Sequence, residues 1–134
     1  MKTHFNPKNN PRVIIIQKLY GKFYNEDNDI EFPKHRFKKF IKDIVVGTIE
    51  RSDLIHDELN NILGNEFVFE NLDKVFQIIL KAATYEFLYK PNVSINIIIK
   101  EYLISSNFFL ENSQTKYLNA LLDSIGKKLR SNNA

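Results

Sequence analysis

Between Leu72 and Ala83 the apolar residues Leu72, Val75, Phe76, Ile79, Leu80 and Ala83 recur every three or four positions. An α-helix, at about 3.6 residues per turn, gathers such a series onto one face, whereas a strand would scatter it over two. The same spacing returns along nearly the whole chain, and that repetition constrains the architecture more than any single motif. Ile16, Leu19, Tyr20 and Phe23 form an earlier stripe, with Pro11 suited to a first helical position after Asn10. Phe37, Phe40, Ile41, Ile44 and Val45 follow, with Pro33 near the start. A third stripe, Ile55, Leu59 and Ile62, is expected behind a Ser52 cap and ahead of a stop at Gly64. The stripe at Leu72–Ala83 should end before Pro91. Ile99, Tyr102, Leu103 and Ser106 follow a cap at Ser94 or Asn96, and Tyr117, Leu118, Leu121, Leu122 and Ile125 follow one at Ser113.

The β-branched runs Val13–Ile16 and Ile95–Ile99 have strand-like composition. Each continues into helical periodicity and neither is followed by a hairpin turn, so both read as helix. The expected fold is all-α: a compact bundle of about six or seven helices in two three-helix subdomains. The break is expected near residues 64–70, and residues 1–10 form a basic N-terminal arm. The 134 residues make one domain, without repeats, low-complexity tracts or a flexible linker.

Several function classes lose support at once. The chain has no cysteine, so neither a disulfide framework nor a thiolate metal site can form. His4, His35 and His56 share no i, i+4 spacing, and His56 with Asp57 belongs to a solvated helix face. Gly21, Gly47, Gly64 and Gly126 stand singly, so no glycine-rich loop can cradle a phosphate. Asp53, Asp57 and Glu58 read as a charged face. No catalytic residue, metal site or cofactor is expected. The first ten residues lack the apolar core of a signal peptide, and no apolar run is long enough to cross a bilayer. A soluble, cytoplasmic protein is the expectation.

The net charge of +3 is mild, but its distribution is uneven. Lys2, Lys8, Arg12, Lys18 and Lys22 precede the first acidic residue, Glu26, while Lys127, Lys128 and Arg130 sit near the end. Cations at both ends suit phosphate contacts. Lys18-Leu19-Tyr20 and Lys116-Tyr117 interleave cations with aromatic rings, the pairing that holds unstacked single-stranded RNA. Each tyrosine is also in register with a core stripe, so packing is the better explanation of either one by itself, and a ring partly buried with its edge at the surface can do both. The residues by themselves stop at a basic helical domain with a candidate RNA surface.

The order of four short motifs carries the reading further. Arg12, Ile15, Leu19 and Tyr20 stand where the NusB family of bacterial transcription antitermination factors has R-x-x-A-x-x-x-L-Y. Leu80-Lys81-Ala82-Ala83-Thr84-Tyr85-Glu86-Phe87 resembles its L-R-x-A-x-Y-E-L, Ile99-Lys100-Glu101 its I-N-E, and Lys116 to Asp123 its K-F-V-N-G-V-L-D. The resemblance covers nearly the whole chain and needs no gap after Leu72.

It implies an all-α, non-enzymatic protein of two three-helix bundles that binds the boxA element of ribosomal RNA leader transcripts. That binding is shared with NusE, a ribosomal small-subunit protein, within the RNA polymerase antitermination complex. Carried over by position, the RNA-binding residues would be Lys2, Lys8, Arg12, Lys18, Ser113, Lys116 and Tyr117. Arg12 and the lysines would meet phosphates and Tyr117 a base or sugar, and Tyr20 would face the partner. Asn119 and Asp123 fit the motif and fit equally as caps or buried hydrogen-bonding groups. Departures thin the resemblance: the family's arginine-dense arm is reduced to spaced lysines, and its Arg, Asn and Gly are here Lys81, Lys100 and Ala120. Two other readings follow: a NusE-binding scaffold with little RNA affinity, and the NusB-like domain of a ribosomal RNA methyltransferase. The chain ends at Ala134 without a cofactor-binding half, which counts against the latter. A homodimer is a further partner state left open.

Overall fold

The computed structural model describes residues 9–27, 29–64 and 68–131. Lys2 and Lys8, with most of the expected arm, lie outside them. Six α-helices make up the described chain: α1 (Pro11–Tyr24), α2 (Lys38–Glu50), α3 (Ser52–Leu63), α4 (Lys74–Tyr89), α5 (Ile95–Ser106) and α6 (Asn112–Ser131). A short 3-10 turn at Phe69–Asn71 leads into α4. Both β-branched runs are helical, as their periodicity requires.

Local chemistry sets most boundaries. Asn10 caps α1, its Oδ1 accepting from the backbone N–H groups of Arg12 (2.9 Å) and Val13 (3.1 Å), with Pro11 in the first turn. Ser94 rather than Asn96 caps α5, accepting from the Ile97 N–H at 3.2 Å. Gly64 ends α3 at φ 64°, a left-handed conformation that glycine adopts without a Cβ clash. The two other expected serine caps both fall inside their helices, Ser52 by one residue and Ser113 by two. Ser52 is the first helical residue of α3, because α2 and α3 share the single junction residue Arg51. Its hydroxyl accepts instead from Lys81 Nζ at 2.9 Å. Ser113 lies inside the first turn of α6, and the start is closed by Gln114, whose Oε1 accepts from the Glu111 N–H at 3.1 Å. That is the return half of a capping box.

Helix α4 occupies the centre. It lies against each of the other five helices, and Phe76 to Leu80 and Ala82 to Phe87 are all buried. Around it α1 packs on α2 and α5, α2 on α3, and α5 on α6, enclosing one continuous apolar cluster. Each fully buried Leu or Ile in that cluster contributes about 1.5–3 kcal/mol relative to an exposed one. The α2–α4 contact needs Gly47: a Cβ there would stand 2.2 Å from the Tyr85 ring. Tyr85 is fixed from its far end, its hydroxyl donating to Asp43 Oδ1 at 3.1 Å.

A charged network is enclosed with the apolar core. Glu86, fully buried, takes the Arg12 guanidinium in two bonds, Nε–Oε2 at 3.0 Å and NH2–Oε1 at 2.7 Å. The same guanidinium lies 5.0 Å from the Phe40 ring and 5.4 Å from that of Tyr102. Beside it the Ser105 hydroxyl donates to Asn10 Oδ1 at 3.1 Å, fixing the N-terminal approach to α1 against the end of α5.

Candidate nucleic-acid interface

The sites nominated for RNA contact separate into an outer and an inner set. In the first turns of α6, Ser113 and Lys116 are exposed, and Tyr117 keeps 39% of its surface. The other side of the Tyr117 ring rests on Phe76 of α4, with centroids 5.6 Å apart and planes tilted by 32°. Packing fixes one side of the ring while part of the residue stays at the surface, the arrangement of an amphipathic tyrosine. Burial pushes its phenol above the ordinary value, so it stays neutral near neutral pH. A rigid ring, an adjacent ammonium and a helix N-terminus form a surface suited to a phosphate and an unstacked base.

The Asn10–Ser105 bond sets the root of the N-terminal arm at the end of α5, and α6 begins after a short loop from there. Lys18 is half-buried further along α1, beside a shallow pocket shared with Gln17, Gly21 and Asp29. Helices α4 and α5 each lie against both α1 and α6. No hydrogen bond or ion pair among the described residues joins Lys18 to the start of α6.

Arg12 requires a correction. It is 7% exposed, its side chain is held by Glu86 on two donors, and Glu101 lies 3.9 Å from a third nitrogen. A guanidinium committed to a buried carboxylate offers no outward fork to a phosphate, so its role is to fasten α1 to α4. The C-terminal cations also have partners within the chain, Arg130 in a half-buried position and Lys127 and Lys128 at the surface. Arg130 donates to the carbonyls of Phe87 (3.1 Å) and Lys90 (3.0 Å) at the end of α4, which lack helical partners, and to that of Val93 (2.5 Å) in the loop that follows. Lys127 pairs with Asp123 at 3.0 Å, and Lys128 donates to the Ile62 carbonyl at 3.3 Å.

Tyr20 is 37% exposed and donates from its hydroxyl to that of Tyr24 at 3.3 Å, with ring centroids 4.9 Å apart. That bond, then burial, raises its pKa. Phe23 and Tyr24 keep 43% and 61% of their surfaces, and the Lys74 ammonium lies 4.1 Å from the Phe23 centroid. Three aromatic rings and a cation thus form an exposed patch of which sequence reasoning identified one member. Phe23 completes a perfect apolar stripe, and nothing in a periodicity tells that its neighbours stop short of it.

Asn119 is exposed and Asp123 is tied to Lys127, so neither acts as a cap or a buried hydrogen-bonding group. His56, expected on a solvated face, is half-buried: it lies 2.9 Å from a Glu70 carboxylate oxygen and stands edge-on to the buried Phe69. Among the described residues no three His, Asp or Glu side chains are grouped to hold a metal ion, and no helix is long and apolar enough to cross a membrane.

The model of the NusB family matches residues 9–127. A transcription antitermination protein NusB from Sphingopyxis alaskensis is 33% identical, over 68% of this chain and 61% of its own length. One from Novosphingobium aromaticivorans is 31% identical, over 78% of this chain and 70% of its own. The first of these matches therefore spans less than two-thirds of the relative. The solved structure of T. maritima NusB superposes with a TM-score of 0.76, covering 91% of this chain and 92% of that one, at 22% identity, a likeness of fold.

Proposed function

The chain belongs to the NusB family, and we propose that it is a transcription antitermination factor binding boxA-type single-stranded RNA together with NusE. The observation that carries this reading is the outward Lys116–Tyr117 pair, its ring braced on Phe76 beside Ser113. In this reading Lys116, with Lys18 and the arm lysines Lys2 and Lys8, meets phosphates, while Tyr117 takes a base or sugar. The patch at Tyr20, with Phe23, Tyr24 and Lys74, faces NusE, and the pair joins RNA polymerase in the cytoplasm. Affinity then comes from two weak surfaces engaged at once rather than one strong one.

A second reading keeps the NusE contact and drops the RNA. The inward turn of Arg12 and Arg130 favours it, because it removes two cations from the phosphate surface. A gel shift with boxA RNA and a scrambled control, with and without NusE, separates the two. Antitermination predicts a boxA-selective shift that is lost in the Lys116→Ala, Tyr117→Ala double variant while NusE binding persists. A complex with NusE that shifts neither RNA would leave only the scaffold.

A further inference from the structure

A groove with a volume of about 380 Å³ runs between α5 and α6. Ile99 and Leu103 form part of its apolar floor, and Asn96, Asn107 and Asn119 bring three carboxamides to its walls, with Lys100 alongside. Those three amide side chains make no hydrogen bond, and Lys100 makes no ion pair, among the described residues. Exposed asparagines are common, but three around one apolar-floored trough with a cation are a particular chemistry. Carboxamides present a donor and an acceptor side by side, the complement of a nucleobase edge. An apolar floor suits the face of the base, and an ammonium suits its phosphate.

Position strengthens the case. Asn119 lies one turn along α6 from Lys116, so the groove continues directly from the exposed cation. Its other end, at Asn107, adjoins the α5 terminus where Ser105 holds Asn10 at the root of the arm. Asp123 borders the far end, and its charge is met by Lys127 at 3.0 Å.

We infer that the α5–α6 groove receives a short unstacked stretch of the bound single strand, its bases read by the amides of Asn96, Asn107 and Asn119 spaced along α5 and α6 and a phosphate held by Lys100. The inference rests on the RNA-binding reading and extends it to a site on the opposite flank of α6 from Tyr117. The three amides would then supply discrimination, and Lys100 the charge that the family's asparagine at that position would not.

Fluorescence anisotropy of a fluorescein-labelled boxA RNA, with NusE present, tests it. Asn119→Ala should weaken binding by about fivefold or more, the lower bound for losing a paired base contact, with the salt dependence unchanged. Lys100→Met should weaken binding and lower the salt slope by about 0.7, the value for one phosphate contact on a single strand. Both positions are exposed, and unchanged thermal melting would confirm that neither variant alters the fold. If wild-type complex binds boxA and both variants match it in affinity and slope, the groove is refuted and the wider reading stands. If the wild-type complex binds no RNA, both fall.

Discussion

Cutting Glu86 back to alanine would leave the Arg12 guanidinium where it is, enclosed and without its carboxylate. Glu86 is fully buried and the Arg12 side chain is 9% exposed, so water cannot replace the two lost bonds without opening the α1–α4 contact. Removing one partner of a buried pair typically costs about 3–5 kcal/mol, chiefly for the charge left behind. Here Glu101 lies 3.9 Å from another guanidinium nitrogen and is itself one-third exposed, so it can move closer and recover part of the loss. That places Glu86→Ala near the lower end, about 3 kcal/mol, a large fraction of the roughly 5–15 kcal/mol that holds a domain together. In a thermal melt followed by circular dichroism the midpoint should fall by roughly 12 °C. The joint replacement Arg12→Met, Glu86→Leu should recover most of that, since a well-packed apolar pair carries no desolvation cost. A Glu86→Ala loss below about 1 kcal/mol would refute the argument that the charge is sealed in, and so would a double variant no more stable than the single one. The same double variant measures Arg12 in function: it should bind boxA RNA as the wild type does, and a collapse of affinity would return Arg12 to the phosphate surface.

Gly47→Ala should destabilise by about 1–3 kcal/mol in urea unfolding, as expected for overpacking against a ring that cannot retreat, and Gly21→Ala, where a Cβ meets nothing within 4 Å, should not. Arg130→Met leaves the carbonyls at the end of α4 without their donor, and a loss of about 1.5–3 kcal/mol is expected in the same assay. Tyr20→Ala combined with Tyr24→Ala should weaken NusE binding at least tenfold by calorimetry, with stability changed by under about 1 kcal/mol, because both rings are at the surface. Binding of boxA without NusE should be weak, the arm carrying lysines where the family has arginines; equal affinity in a fluorescence titration with and without the partner would contradict this.

The helices were legible because burial on one face leaves a mark every three or four residues, and none of the six depends on a distant partner to be recognised. Caps at Asn10 and Ser94 were legible for the same reason, the chemistry being local. Ser52 and Ser113 misled because each is a good capping residue just inside a helix whose start is set by something else: a shared junction at Arg51, and a return bond from Gln114. Arg12 could not be placed from sequence at all. Its partner is 74 residues away, and an arginine in a basic run looks the same whether it faces water or a carboxylate. The Tyr20 patch was half legible: the rings follow the helix period, while their exposure depends on where the packed neighbours end.

The central position of α4 also bears on the order in which the chain can assemble as it is synthesised. Helices α1 to α3 leave the ribosome first, and Ile15, Ile44, Val45, Ile55 and Leu59 then have no central helix to close over them. At about 5–20 residues per second, the wait for α4 lasts on the order of a second or more, longer than helices and loops take to form and dissolve. The N-terminal half is therefore held as fluctuating helices until Lys74–Tyr89 emerges, and Arg12 meets Glu86 only then. Maturation of this protein is gated by its fourth helix, and the α1 surface takes its final form only after more than half of the chain has been made.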